Sequence, residues 1–261
     1  MSFNAGRALF TLVACAAGSL AAQSPATHGP ARGHLVLDGG GRFNPAIESA
    51  FVALAGGPTS HIVVIPTAGG PDTLLPEQAA HIQRRMKEDL GVSTVTVLHT
   101  RDRAVAEADS FVAPLRKASG AWILGGFPER LVAAYVGTRT ERAIRELLDR
   151  GGVVGGTSAG AMILASSMVD AGGGFGLLDR AVVFPHFDKR GDKEAVREMA
   201  AHPELLGIGI DEMTALLVSA DHAEALGQGT ITVYYANGRG AAKPVMLKSG
   251  DRYDLAARRR Q

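Results

Sequence analysis

Ser158 stands in Gly156-Thr157-Ser158-Ala159-Gly160, a G-x-S-x-G pattern that can turn a strand sharply into a helix and push a serine hydroxyl outward as a nucleophile. The plain alternative is a glycine-rich turn, since the chain carries 33 glycines in 261 residues and short patterns recur by chance in such a composition. A serine hydroxyl attacks only when a base takes its proton and a third group holds that base in the right tautomer. His186 is the favoured base because it closes the apolar run Val182-Val183-Phe184-Pro185, and parallel sheets expose their working residues at strand ends. His61 and His99 lie beside or within apolar strands and read as structural, whereas His202 and His222 fall in expected loops and compete with His186.

For the orienting acid, Asp211 and Glu212 stand together between two apolar segments. Adjacent residues of an extended chain face opposite ways, so one of the two at most would point at the base. Two solvated turn carboxylates are the other reading, and Asp170 is a further candidate. The oxyanion formed on acyl attack needs backbone N–H donors, and the residue after the nucleophile commonly supplies one. Here that residue is Ala159, with Gly126 of the Gly125-Gly126 pair as the second expected source.

These groups need a scaffold, and the periodicity describes one. His34–Asp38 reads as a strand running into Gly39-Gly40-Gly41, followed by a helix that Asn44 caps and Pro45 begins. His61–Pro66 and Thr94–Leu98 read as further strands, with an amphipathic helix over Glu77–Leu90 between them. Ala121–Leu124 is the next strand, Glu129–Arg150 is helical with a break near Gly137, Gly151–Gly155 is a strand and Ala159–Ala165 a helix. Such alternation calls for a mostly parallel central sheet with helices on both faces. Short apolar segments after the elbow, at 181–183, 205–210, 214–218 and 230–235, predict a strand-rich, more antiparallel final third.

Arg7, the apolar run Ala8–Ala14 and the small residues up to Ala22 read as an export signal over 1–22. A proline-bearing linker is expected over 23–32 and a single domain over 33–261, placing the mature protein in the periplasm or outside the cell. The only cysteine, Cys15, follows Leu12-Val13-Ala14, so the alternative is a lipoprotein held at the membrane by an acylated Cys15. Beyond the leader no apolar run reaches spanning length, and no cysteine remains for a disulfide or a thiolate metal site. A net charge of +1 with both signs interspersed argues against nucleic acid as a partner.

Three motifs, Gly155-Gly156-Thr157-Ser158-Ala159-Gly160-Ala161, Val183-x-x-His186-Phe187 and Gly207-Ile208-Gly209-Ile210-Asp211-Glu212-x-Thr214-Ala215, occur in the order and rough spacing of the cyanophycinase family of serine peptidases, relatives of dipeptidase E. The chain resembles that family over nearly the whole mature domain, including Gly39-Gly40-Gly41 and Gly229–Val233. The resemblance implies a class I glutamine amidotransferase-like (flavodoxin-like) α/β sandwich, with Ser158 as nucleophile, His186 as base and Glu212 as orienting acid. It also implies a peptide or polyamide substrate, no metal or organic cofactor, and a homodimer. Hydrolysis would pass through an acyl-enzyme at a peptide or isopeptide bond, β-aspartyl linkages included.

The resemblance fails where substrate would be gripped. Phe127-Pro128 and Phe184-Pro185 replace polar residues of the family, and of its arginine series after His-Phe only Arg190 is kept, with Asp192 and Ala195 at the later positions. Phe127 and Arg190 are the expected substrate contacts, and the loss of those polar groups weakens the case for a β-linked aspartyl-arginine unit and predicts a changed substrate choice, with cyanophycin, other β-aspartyl and ordinary peptides left open. Two other readings remain: an α/β-hydrolase-like esterase, whose chain order would require Ser158, Asp211 and His222, and a non-catalytic binding protein that keeps the elbow as a turn.

Overall fold

The computed structural model describes residues 1, 27–42, 44–236 and 244–261; the expected export signal, Cys15 included, lies outside them. The chain begins with β1 (His34–Asp38), α1 (Pro45–Leu54), β2 (His61–Ile65), α2 (Pro76–Leu90), β3 (Thr94–Val97), α3 (Arg103–Ala106), α4 (Asp109–Lys117) and β4 (Gly120–Ile123). It continues through α5 (Pro128–Tyr135), α6 (Arg139–Asp149), β5 (Val153–Thr157), α7 (Ala159–Met162), β6 (Ala165–Met168), β7 (Gly172–Gly173), β8 (Leu178–Pro185), α8 (Phe187–Arg190) and α9 (Lys193–Ala201). The last part holds β9 (Leu206–Ile210), β10 (Thr214–Ser219), β11 (His222–Gly227), β12 (Ile231–Tyr234), β13 (Val245–Leu247), β14 (Arg252–Asp254) and β15 (Arg259–Arg260).

The strands form two mixed sheets where the sequence pointed to one. The larger has the order β15-β14-β11-β10-β1-β5-β4-β2-β3 and the smaller β13-β12-β9-β8-β6-β7. In the larger, β1, β5, β4, β2 and β3 are parallel, and β10 joins β1 antiparallel. Strands such as His61-Ile62-Val63-Val64-Ile65 are buried almost throughout, as a parallel strand covered on both faces must be. In the smaller sheet β6, β8 and β9 run parallel and the remaining pairs antiparallel.

Each layer follows from side-chain alternation. Val36, Ile62, Val64 and Trp122 face Ile47 and Phe51 of α1 and Met86 of α2. Their neighbours Leu35, Leu37, Val63 and Ile65 face the opposite way, into a core shared with Leu115, Leu131, Ile144, and Ile208 and Ile231 of the second sheet. On β8 the same two-residue period sends Val183 into that core and Val182 and Phe184 to the far side, onto Ala195 and Met199 of α9. Asn44 caps α1, its side-chain oxygen accepting the Ala46 N–H at 3.0 Å, with Pro45 at the first helical position.

Four expectations need correction. The helix after Ser158 stops at Met162, and Ala165–Met168 enters the second sheet, because its apolar residues are demanded by that sheet's core rather than by a helix face. α3 and α4 between β3 and β4, and α9 in the final third, were not foreseen. The expected linker is docked from Thr27 on: His28 is 5% exposed, its N–H donates to Asp221 Oδ1 at 2.8 Å and its carbonyl accepts the Asp179 N–H at 2.6 Å. His222, expected in a loop, is the first residue of β11.

Candidate active site

Both sheets point the C-terminal ends of parallel strands at one place. In the larger sheet β1 and β5 lie side by side with Asp38 opposite Thr157; in the smaller, β8 and β9 lie side by side with Pro185 opposite Ile210. Ser158 therefore follows the end of β5, His186 the end of β8, and Glu212 stands two residues past β9. Residues far apart in the chain converge because all three strands end on the same side.

Ser158 has φ 54° and ψ −115°, a conformation that costs a non-glycine residue on the order of 1–3 kcal/mol. The surroundings hold it there. Its N–H donates to the Asp38 carbonyl at 2.9 Å, and its carbonyl accepts from Ala161 and Met162 in the first turn of α7. The turn is tight enough that a Cβ on Gly156 would stand 2.1 Å from the Gly160 oxygen, so the flanking glycines are a steric requirement.

The Ser158 hydroxyl lies 3.0 Å from His186 Nε2, and His186 Nδ1 lies 2.8 Å from Glu212 Oε1. A carboxylate only accepts, so Nδ1 carries the hydrogen and Nε2 is left to accept from the serine. His186 is itself in the left-handed region, φ 53° and ψ 38°, and its N–H donates to the Gly39 carbonyl at 2.8 Å. Glu212 is fixed through its backbone, whose N–H donates to Asp188 Oδ1 at 3.0 Å. Burial pushes the Asp188 carboxyl up, but hydrogen bonds from Lys189 and from Glu212 N–H outweigh it and hold Asp188 below the ordinary value.

The Gly39-Gly40-Gly41 loop is the brace behind these groups. Its Gly40 carbonyl accepts the Met213 N–H at 2.8 Å, Gly39 N–H donates to Thr214 O at 2.9 Å, and Gly41 abuts the Glu212 side chain. Beneath it Asp38, 5% exposed, accepts from Gly40 N–H and from the Thr157 hydroxyl, both at 3.0 Å. Thr157 Oγ1 in turn accepts from Trp122 Nε1 at 3.1 Å. Burial raises Asp38 from 3.8 to about 6, with these hydrogen bonds and the nearby His186 pulling the other way. The sequence reading passed over Asp38; the available signal was an acid closing an otherwise apolar strand directly before three glycines.

A pocket of about 140 Å³ opens beside the serine, lined by Gly126, Ser158, Ala159, Met162, Val183 and Phe184, with Arg190 and Glu194 as its charged members. Ala159 is the first residue of α7, where a backbone N–H has no acceptor within its own helix. Of the two expected substrate contacts, Arg190 lines this pocket. Phe127 does not; it is 54% exposed on the neighbouring surface, with the Arg130 guanidinium 4.3 Å from its ring centroid. Ala195 is buried under β8 and cannot reach a substrate.

The competing candidates lie elsewhere. Asp211 accepts the Thr230 N–H through Oδ2 at 2.8 Å, and burial raises its carboxyl. His222 is exposed on β11 beside Gln261, so Ser158, Asp211 and His222 are not assembled. His61 meets Thr96, His99 bridges Thr67 and Pro71, His202 lies against Glu198 and Glu204, and Asp170 is exposed in the turn after β6. Among the described residues no group of three or more His, Cys, Asp or Glu is placed to hold a metal ion, and no helix is long and apolar enough to cross a membrane.

The model of peptidase family S51 matches residues 35–226. The cyanophycinase of Synechococcus elongatus is 32% identical over 204 residues, which cover 72% of this chain and 62% of that protein. This chain thus spans less than two thirds of that relative's length. The cyanophycinase of Geminocystis herdmanii is 30% identical over 241 residues, covering 80% of this chain and 87% of that one. Among solved structures, a peptidase from an acI-B1 Actinobacterium superposes with a TM-score of 0.69 at 26% identity, over 85% of this chain and 97% of its own.

Proposed function

The chain belongs to peptidase family S51, and from that premise we propose that it is an exported serine peptidase that cleaves a peptide or isopeptide amide through an acyl-enzyme, on a class I glutamine amidotransferase-like framework. The observation that carries the reading is the hydrogen-bonded series Ser158–His186–Glu212, at 3.0 and 2.8 Å. Ser158 Oγ attacks the substrate carbonyl while its proton passes to His186 Nε2, and Glu212 stabilises the imidazolium through Nδ1–H. The backbone N–H groups of Ala159 and Gly126 stabilise the oxyanion. His186 then returns the proton to the leaving amine, the C–N bond breaks, and a water deprotonated by the same histidine hydrolyses the ester.

Arg190 offers a cation to a substrate carboxylate and Glu194 an anion to an amino group, at a pocket whose remaining wall is apolar. Phe184 and the buried Ala195 leave this pocket without the fixed polar groups that the resemblance attaches to an aspartyl-arginine unit. Small β-aspartyl and α-linked dipeptides are accordingly the substrate classes to compare. The test is a fluorophosphonate probe followed by that dipeptide panel, with release of free amine as readout. Stoichiometric labelling of Ser158 that vanishes in His186→Ala is expected; folded protein that neither labels nor turns over any peptide would overturn the reading.

A further inference from the structure

Two parts of the site come from different sheets, and one buried side chain joins the strand that carries the nucleophile to the loop that backs the base. Asp38 Oδ2 accepts from the hydroxyl of Thr157, the residue just before Ser158, and Oδ1 accepts from the N–H of Gly40, whose backbone lies against the His186 ring. The Ser158 N–H donates to the Asp38 carbonyl on the same strand end. We propose that Asp38 is a positioning residue of this site, acting in its ionised form to lock Thr157 and Gly40 so that the Ser158 hydroxyl and the His186 imidazole are held in register. The proposal rests on the reading of Ser158 as nucleophile.

The need for the ionised form follows from the hydrogen-bond directions. Trp122 Nε1 can only donate, so its 3.1 Å contact makes Thr157 Oγ1 an acceptor there and directs the threonine proton to Asp38. A carboxylate receives that proton and the Gly40 N–H together. A proton placed on Oδ2 and aimed at Thr157 instead leaves the threonine hydroxyl between two donors, and its own hydrogen loses the Asp38 acceptor. The charged groups facing Asp38 are His186 from the smaller sheet and Glu48 from α1. A fixed negative charge near the imidazole also favours the imidazolium that forms as Ser158 gives up its proton. Burial places the ionisation of Asp38 near 6, inside a range an experiment can reach.

The test uses the rate of fluorophosphonate labelling at Ser158, which needs no knowledge of the natural substrate, measured from pH 4.5 to 8.5 on the full-length protein. In the wild-type protein the loss of the Asp38 charge removes about tenfold of the rate as pH falls through about 6, so the logarithm of the rate falls there by about one unit more than in a protein without that acid. Asp38→Asn lacks this extra fall: a shallower slope around pH 6 and a rate about 10-fold lower at pH 8 are expected. A replacement that matters only for folding would leave the slope unchanged. Thr157→Val provides the same rate loss without touching the acid, and Thr157→Ser, which keeps the hydroxyl, restores the rate to within about 3-fold. Equal slopes and rates within twofold in Asp38→Asn, or full activity in Thr157→Val, would overturn the proposal while leaving the nucleophile in place. Absence of wild-type labelling would instead remove the reading on which it stands.

Discussion

The His186 ring occupies the space that a side chain on Gly40 would need: an added Cβ would stand 2.3 Å from Cε1 and 2.8 Å from Nε2. Gly40 also has φ 104°, a conformation that side chains rarely adopt. Gly40→Ala is therefore expected to displace the imidazole and lower the labelling rate at Ser158 by about 100-fold or more. Circular dichroism would show the fold retained, with a stability loss of roughly 1–3 kcal/mol. Labelling at the wild-type rate would refute this packing.

Glu212→Gln keeps the shape of the side chain but removes the charge that meets His186 Nδ1. A fall of about 10²–10⁴-fold in turnover is expected, with substrate affinity much less affected. Asp211→Asn, by contrast, touches a carboxylate bonded to Thr230 and should leave turnover within a few-fold. Steady-state kinetics on the two variants side by side would decide between the adjacent acids.

Asp38 carries a cost in stability. Its folded value of about 6 lies above the ordinary 3.8, so the folded chain binds the proton more tightly, and stability falls as pH rises from about 4 to about 6. That gap corresponds to roughly 3 kcal/mol, part of which the lost Thr157 and Gly40 hydrogen bonds would offset in a neutral variant. Asp38→Asn should gain stability relative to wild type as pH goes from 4 to 7.5, even as it loses activity. Urea unfolding at the two pH values measures this, and a gap between the proteins that does not widen with pH would contradict it.

The segment from Thr27 acts as a strap between the sheets. His28 bonds Asp179 at the start of β8 and Asp221 between β10 and β11, while Gly29 N–H donates to Ala220 O and Ala220 N–H to Pro30 O. A chain starting at residue 32 should be less stable than one starting at 27 by about 2–4 kcal/mol, the hydrogen bonds at roughly 0.5–1.5 kcal/mol each and the burial of His28 being offset in part by the entropy of ordering the segment. Differential scanning fluorimetry of the two truncations compares them directly. Equal melting temperatures would show the strap to be passive.

Arg190 lines the pocket beside Ser158, and no ion-pair partner within 4 Å is found for it among the described residues. Arg190→Ala should raise KM for carboxylate-bearing dipeptides by about 10-fold or more with a smaller change in kcat. A substrate lacking that carboxylate should be insensitive, which the same panel would reveal.

What the sequence by itself determined were the features encoded by neighbours along the chain. The strand-to-helix turn at Ser158, the capped start of α1 and the apolar runs of β1, β2, β4 and β5 depend on local sterics and on period-two burial. His186 and Glu212 were reachable in the same way, through their places after apolar strands and through the family resemblance. The helix wrongly extended to Ala165, the unforeseen second sheet and the docked strap at His28 all turn on which distant surface an apolar or polar group meets, which no local pattern encodes. Asp38 is the sharpest instance. On the sequence it is one acid before three glycines; only the pairing of β1 with β5 sets it opposite Thr157, and only the meeting of two sheets brings His186 against Gly40. Its burial and its raised ionisation are properties of that meeting, and they exist nowhere along the chain itself.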